Sequence, residues 1–350
     1  CTWETIQTTN IGLDFATLKN RLYGSFDYFW KENKNMLIPK TYPSMLGADA
    51  PSTNSGHLSI RGWEVALGWR DQINDFSYSV RFNLSDARNQ VVERVGSNLI
   101  KLGLNETPTD YPLNSFFGYE FDGIIQNEQE LKDYIARFPN GGIPGDLSVG
   151  DAKYKDLDGD GKLSVLGDGK LSVLGDGKEG SGDVKYLGDK NPRYNFGMNL
   201  SAAYKGFDFS AFIQGVGRRT MFLEDVANKP MAEAWFQSAA YWYGKTWTAE
   251  RTDAQYPAIT STSKRGYNYY YSTNTKHNVG YARLKNLQLG YTIPSSVTAK
   301  IGLQKLRVYF SGEDLFEIHN TPGGWDPEED GQITSYPFAR NYSFGVNVVF

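Results

Sequence analysis

The segment Asp156-Leu-Asp-Gly-Asp-Gly-Lys-Leu-Ser164 places a carboxylate at every second position. In a tight loop, acids at positions 1, 3 and 5 converge on one centre, and their hard oxygens suit Ca2+. Asp156, Asp158 and Asp160 take those positions. Gly161 allows the sharp turn at position 6, the Lys162 carbonyl is the expected ligand at position 7, and Leu163 anchors the loop in a core. Position 12, where an acid should close the shell, is instead Gly167. A tandem octapeptide accounts for this. Gly-Asp-Gly-Lys-Leu-Ser-Val-Leu occupies 159–166, recurs at 167–174 and begins again at Gly175. With both whole copies looped out, Asp156-Leu-Asp joins Gly175-Asp-Gly-Lys and Asp183 falls at position 12. Asp168 and Asp183 therefore compete as the closing ligand. The expectation is one structural Ca2+ that braces a loop, and the plain alternative is a Gly/Asp-rich turn without an ion.

Other candidates carry less. The run Trp235-Phe-Gln-Ser-Ala-Ala-Tyr-Trp-Tyr-Gly-Lys-Thr-Trp247 offers Trp235, Trp242 and Trp247, whose faces can stack on sugar rings or on another protein. A small core for the loop itself is the better reading. Trp325-Asp-Pro-Glu-Glu-Asp330 reads as a solvated loop tip. His57, His277 and His319 lack the paired spacing of a zinc site, and no nucleophile elbow or phosphate-binding loop is present. Paired acids could serve glycoside hydrolysis only at a separation that a sequence does not measure. The expectation is that the chain is not an enzyme.

These residues sit in long connections, so the elements that hold them matter. The ending Tyr342-Ser-Phe-Gly-Val-Asn-Val-Val-Phe350 alternates Tyr342, Phe344, Val346, Val348 and Phe350 against Ser343, Gly345, Asn347 and Val349. A period of two marks a strand with unlike faces. The pattern recurs at Ile11–Phe15, Leu22–Trp30, Trp63–Trp69, Phe76–Leu84, Tyr194–Tyr204, Phe207–Ile213, Leu287–Ile293 and Leu306–Phe310, about nine strands in all. One face is aromatic and aliphatic. The other carries Asn, Ser, Gln, Asp and Arg. Short turns at Lys19-Asn20, Asp71–Asp75 and Lys205-Gly206 alternate with long insertions at about 33–56, 86–192, 220–279 and 318–340. Membrane β-barrels connect strands this way, with tight turns at one rim and long external loops at the other. Soluble sandwiches seldom do. The expected fold is all-β, a portion of a transmembrane antiparallel barrel. Asn199, Gln214, Gln288 and Arg307 then face the lumen, as solute-path residues or as contacts for whatever fills it.

Bulk properties agree. The chain has 350 residues, 15% aromatics and 37 glycines. Its mean hydropathy of −0.50 is too polar for a helical membrane protein. That value is compatible with a barrel, in which only alternate residues meet lipid. A net charge of −4 gives no basic footprint for nucleic acid. The one cysteine, Cys1, excludes a disulfide framework. Between an acylated terminus and an arbitrary or proteolytic start, the latter is expected, since a strand-like pattern begins almost at once. Nine strands cannot close a single-chain barrel, and a free edge in lipid leaves backbone groups unpaired. Residues 1–350 are therefore expected to be part of something larger.

Several segments resemble SusC/RagA-type TonB-dependent transporters. They are Phe117-Gly-Tyr-Glu-Phe-Asp-Gly-Ile-Ile-Gln126, Pro144-Gly-Asp, Tyr154-Lys-Asp-Leu-Asp-Gly-Asp-Gly161, Asn191-Pro-Arg-Tyr-Asn-Phe-Gly197, Tyr281-Ala-Arg-Leu-Lys-Asn-Leu-Gln-Leu-Gly-Tyr-Thr-Ile-Pro294, Leu306-Arg-Val-Tyr-Phe-Ser-Gly312 and the Phe350 ending. The resemblance covers nearly the whole chain. It implies the carboxy-terminal part of a barrel of roughly 22 strands around a plug, in the outer membrane of Bacteroidota-like bacteria. It further implies TonB-powered import of oligosaccharides or peptides (glycan or other nutrient uptake), with a SusD-like surface lipoprotein as partner. The plug, the TonB contact and the early strands would precede Cys1. The reading from another class is a soluble secreted Ca2+- and carbohydrate-binding all-β module.

Overall fold

Alternating side chains are carried through nine long strands that form one antiparallel sheet. The computed structural model describes residues 2–39, 52–94, 100–165, 182–224, 227–231, 238–260, 262–329 and 338–350. In chain order, β1 (Thr5–Thr17), β2 (Leu22–Pro39), β3 (Ser52–Ile73) and β4 (Phe76–Arg94) form a meander. An insertion follows, with β5 (Gly103–Asn105), β6 (Ser115–Tyr119), β7 (Phe121–Ile124), helix α1 (Glu128–Ala136), β8 (Ala152–Tyr154) and β9 (Val184–Asp189). The sheet resumes with β10 (Arg193–Tyr204) and β11 (Phe207–Met221). A second insertion containing α2 (Thr262–Asn268) leads to β12 (His277–Thr292). After a short connection with α3 (Ser295–Thr298) come β13 (Lys305–His319) and β14 (Asn341–Val349). The strand order in the sheet is β1-β2-β3-β4-β10-β11-β12-β13-β14.

The register keeps the two faces distinct across strands. Asn199 is opposite Arg81 and Phe212, Ser201 opposite Ser79 and Ser210, and Gln288 opposite Ser210 and Ser311. On the other face Leu200 meets Val80 and Ala211, and Leu289 meets Phe209 and Phe310. A one-residue slip would exchange the two sets. Glycines on the polar face admit large neighbours. A Cβ on Gly68 would lie 2.2 Å from the Tyr23 ring, and one on Gly345 would lie 2.3 Å from Tyr309.

Turn chemistry fixes the short connections. Lys205 and Gly206 both have positive φ (44° and 92°), the conformation that suits a two-residue hairpin between twisted strands. At the other rim the strands extend further than their alternation indicates. The insertion expected at 33–56 shrinks, because β2 runs to Pro39 and β3 starts at Ser52. Asn35 explains this correction. It takes φ 58° at a register shift between Asn33 and Met36, and its carbonyl accepts from Asn54 Nδ2 at 2.8 Å. A bulge of this kind breaks the period of two without ending the ladder. The 86–192 insertion likewise gives up residues 86–94 to β4, while the insertions read at 220–279 and 318–340 lie between Met221 and His277 and between His319 and Asn341.

The apolar face of the sheet is largely uncovered. Phe26, Leu67, Phe76, Phe207, Leu289, Phe344 and Val346 are exposed. The buried cores lie in the insertions. One gathers Phe117, Tyr119, Ile125, Tyr134, Phe138, Tyr154, Leu163, Val184 and, from the second insertion, Tyr267. A second joins Met221, Leu223, Trp242, Tyr256, Tyr269 and Val279. Among the described residues, no helix is long and apolar enough to cross a membrane.

Candidate metal centre and its surroundings

The acidic loop follows β8 and folds against the first insertion core. Leu163 is buried there, its N–H donates to Gly141 O at 3.1 Å, and Asn140 N–H donates to Gly161 O at 3.0 Å. The turn itself is set by Asp156. Its Oδ1 accepts from Gly159 N–H at 2.7 Å and its Oδ2 from Gly161 N–H at 2.9 Å. Both glycines sit at φ 75°, a conformation that costs a residue with a Cβ dearly.

Asp156, Asp158 and Asp183 each offer a carboxylate oxygen, and these atoms lie within 4.8 Å of one another. Asp183 is fully buried, accepting from Leu157 N–H at 2.6 Å and Ser164 N–H at 2.8 Å. Asp158 Oδ2 accepts from Gly182 N–H at 3.1 Å, which ties the entry of the loop to its return. Burial pushes the Asp183 carboxyl up to about 6. The two N–H donors oppose that rise, and the charges of Asp156 and Asp158 add to it. These carboxylates combine burial with mutual repulsion, both of which a bound cation would relieve.

Asp160 stands outside this group of three. Its Oδ1 accepts from Lys162 N–H at 2.7 Å, and its carbonyl accepts from Asn140 Nδ2 at 2.7 Å. Lys162 lies in the same turn. Asp168 and Trp235 fall outside the described residues.

The remaining sequence candidates do not gather into one site. Trp242 is buried against Tyr256 and Tyr269, at ring distances of 4.9 and 5.3 Å, so its face is closed to a solute. Trp247 is half-buried and donates from Nε1 to Gln126 Oε1 at 3.0 Å. Asn199 and Gln214 are exposed on the polar face of the sheet. Arg307 forms a bidentate pair with Asp208 and donates to Gln288 Oε1 at 3.1 Å, so the two lumenal candidates Arg307 and Gln288 belong to one network near the short-turn rim. The Trp325–Asp330 tip is not simply solvated. Trp325 packs on Tyr241, and Asp326 and Glu328 reach cationic groups on β12.

Sequence reasoning missed the links that join the two insertions. Asp151, 1% exposed, accepts from Ser148, from Lys264 Nζ at 3.0 Å and from Asn268 Nδ2 at 2.9 Å. Tyr134 and Tyr267 hydroxyls meet at 2.8 Å, and Tyr119 N–H donates to Tyr271 O while its carbonyl accepts from Thr273 N–H of the second insertion. At the neck, buried Asp86 and Arg193 form a bidentate pair that clamps β4 to β10. These partners are about a hundred residues apart in sequence, and no local pattern announces them.

No family model matches the chain. Among curated proteins it is similar to TonB-dependent receptor P3 of Formosa agariphila, 29% identical over 99% of this chain and 34% of that protein. It is also similar to TonB-dependent receptor SusC of Bacteroides thetaiotaomicron, 24% identical over 98% of this chain and 31% of that protein. Among solved structures, the RagAB peptide transporter superposes with a TM-score of 0.73 at 20% identity, over 99% of this chain and 35% of that one. The chain thus spans about a third of the length of these relatives (34% for the first). The relatives are receptors and transporters rather than enzymes.

Proposed function

We propose, from the premise that this chain is homologous over nearly its whole length to TonB-dependent receptors including SusC, that it forms a sector of an outer-membrane barrel wall together with its external insertions. In this reading the whole protein imports oligosaccharides or peptides with energy from TonB and with a SusD-like lipoprotein at the cell surface. The observation that carries it is the nine-stranded sheet with one face apolar and exposed and the other polar. In water such a surface would be an aggregation hazard, whereas in lipid it is the stable arrangement. Strands β1 and β14 have no further partner among the described residues, and their edges need one within a bilayer. The soluble-module alternative leaves the apolar face without a partner.

In the same reading, Asp156, Asp158 and Asp183 hold one Ca2+ that braces the first insertion, and the ion's task is structural. All three offer oxygen ligands, which suits a hard cation.

The functional test is uptake. Cells lacking the gene are given labelled oligosaccharide and labelled peptide mixtures and compared with the complemented strain. Loss of accumulation of one class, restored by the gene and abolished by collapsing the proton gradient, supports import. Equal accumulation of both classes in the two strains sinks it.

A further inference from the structure

The segment Thr321–Glu329, between β13 and β14, lies across the polar face of the sheet, and its attachment differs from that of the other insertions. Its backbone-to-backbone bonds among the described residues stay inside it, from Trp325 N–H to Pro322 O and from Glu329 N–H to Asp326 O, while Thr321 N–H donates to His319 Nδ1 at 3.2 Å. The wall holds it through side chains. Arg283 Nη2 on β12 donates to Asp326 Oδ2 at 2.6 Å, and its Nη1 lies 3.4 Å from Glu328 Oε2. Lys285 Nζ lies 3.1 Å from Glu328 Oε2 and 2.9 Å from Asp314 Oδ1. Arg219 on β11 donates to the carbonyls of Pro327 and Glu329. The Phe338 ring also packs on Arg283, whose Cζ lies 4.6 Å from the ring centre.

Local bulges aim these groups. The register shift between Leu284 and Asn286 frees Lys285 from the strict alternation. Asp314, at φ 51° on the opposite strand, lies at the same irregularity. Among the described residues, Glu317 and Asp314 are the wall carboxylates that would remain beside Arg283 and Lys285 without the segment. Arg283 is only 2% exposed. The carboxylates of Asp326 and Glu328 complete its neutralisation while the segment covers it, so removing their charge weakens the covered state.

We infer that Thr321–Glu329 is a strap clasped onto the lumenal wall by Arg219, Arg283 and Lys285, and that it can open as a unit while the sheet and the inserted module stay folded. This inference rests on the barrel reading for the word lumenal, but not for the clasp itself. Opening breaks side-chain pairs, the ring contact of Trp325 with Tyr241 and, among the described residues, no strand ladder, and it returns Arg283 to water, so it costs less than unfolding the sheet or the module. It would change how much of the wall a passing solute meets.

Hydrogen exchange followed by mass spectrometry on the whole detergent-solubilised protein tests this. The variant Asp326→Asn/Glu328→Gln removes the charge of the strap and keeps its shape. Exchange over 320–329 should rise about tenfold, while the buried core of the module, 115–125, keeps its protection. Unchanged exchange in the strap overturns the inference, because something other than the clasp would then hold it. If the double variant loses protection throughout the sheet, the single Glu328→Gln, which leaves Asp326 on Arg283, is read instead by the same two outcomes. Neither result depends on transport, so failure of the barrel reading shows separately, as loss of membrane association.

Discussion

The sheet and the inserted module use the same residue types in opposite ways. In the sheet, Phe207, Leu289 and Phe344 face outward and stay exposed, while Asn, Ser and Gln line the other side. In the module, Phe117, Tyr154 and Trp242 are buried to a few per cent or less, and buried polar groups such as Asp151 and Asn268 close into pairs. The sheet is therefore built for an apolar solvent on one face. The module carries its own interior and needs only water around it. The contrast separates two stabilities within one chain, and each can be perturbed without the other.

The largest effect is expected in the module. Trp242→Ala empties a buried ring from among Tyr256, Tyr269 and Met221, and should cost about 3–5 kcal/mol of local stability. Proteolysis of the insertions should speed up, while the sheet keeps its resistance to denaturing detergent. Next comes the outer face. Leu200→Arg puts a charge where lipid is expected and should cost about 2–4 kcal/mol of barrel stability if it lies near mid-membrane. The adjacent Asn199→Glu puts a charge on the other face, opposite Arg81, and should cost close to nothing. Heat-modifiable gel mobility of the two variants reads this directly, and equal losses would erase the distinction between the faces.

The acidic loop, with its proposed Ca2+, gives a smaller effect. Asp183→Asn keeps the shape but removes a buried ligand's charge and one of its oxygens, so stabilisation of the module by Ca2+ over chelator should fall steeply in thermal unfolding. Asp160→Asn, outside the group of three, should retain most of that response. The smallest effect is in pH. Asp183 in the folded, ion-free protein holds its proton up to about 6, above the ordinary carboxylate value of 3.8. The folded state then binds more protons than the unfolded one, so ion-free stability should fall as pH rises from about 4 to 6. Saturating Ca2+ should reverse that slope, since the ion needs the carboxylate charged. Melting curves across this range, with chelator and with Ca2+, check both signs.

The sheet was almost fully legible from sequence because its determinant is local: a period of two that each strand carries for itself. Its ends were less so, because bulges at Asn35 and Asp314 continue a ladder past the point where the pattern fails. In the acidic loop, the spacing singled out Asp156 and Asp158, and looping out the octapeptide repeat put Asp183 at the closing position. Nothing local showed that Asp160 would turn to the backbone instead. The aromatic run at 235–247 did not reveal which ring would be buried, since Trp242 is sealed by Tyr256 and Tyr269 from further along the chain. Nor did the acids of 326–329 reveal their partners, because Arg219, Arg283 and Lys285 are brought to them only by the sheet register.

The most direct test of the central claim is alternate-residue cysteine labelling along β10, at positions 198 to 203, in intact washed outer membranes with a water-soluble maleimide. With lipid on one face and a wet lumen on the other, 199, 201 and 203 should label and 198, 200 and 202 should stay dark until detergent is added. Equal labelling of both sets, or recovery of the protein in the buffer wash, would contradict the account.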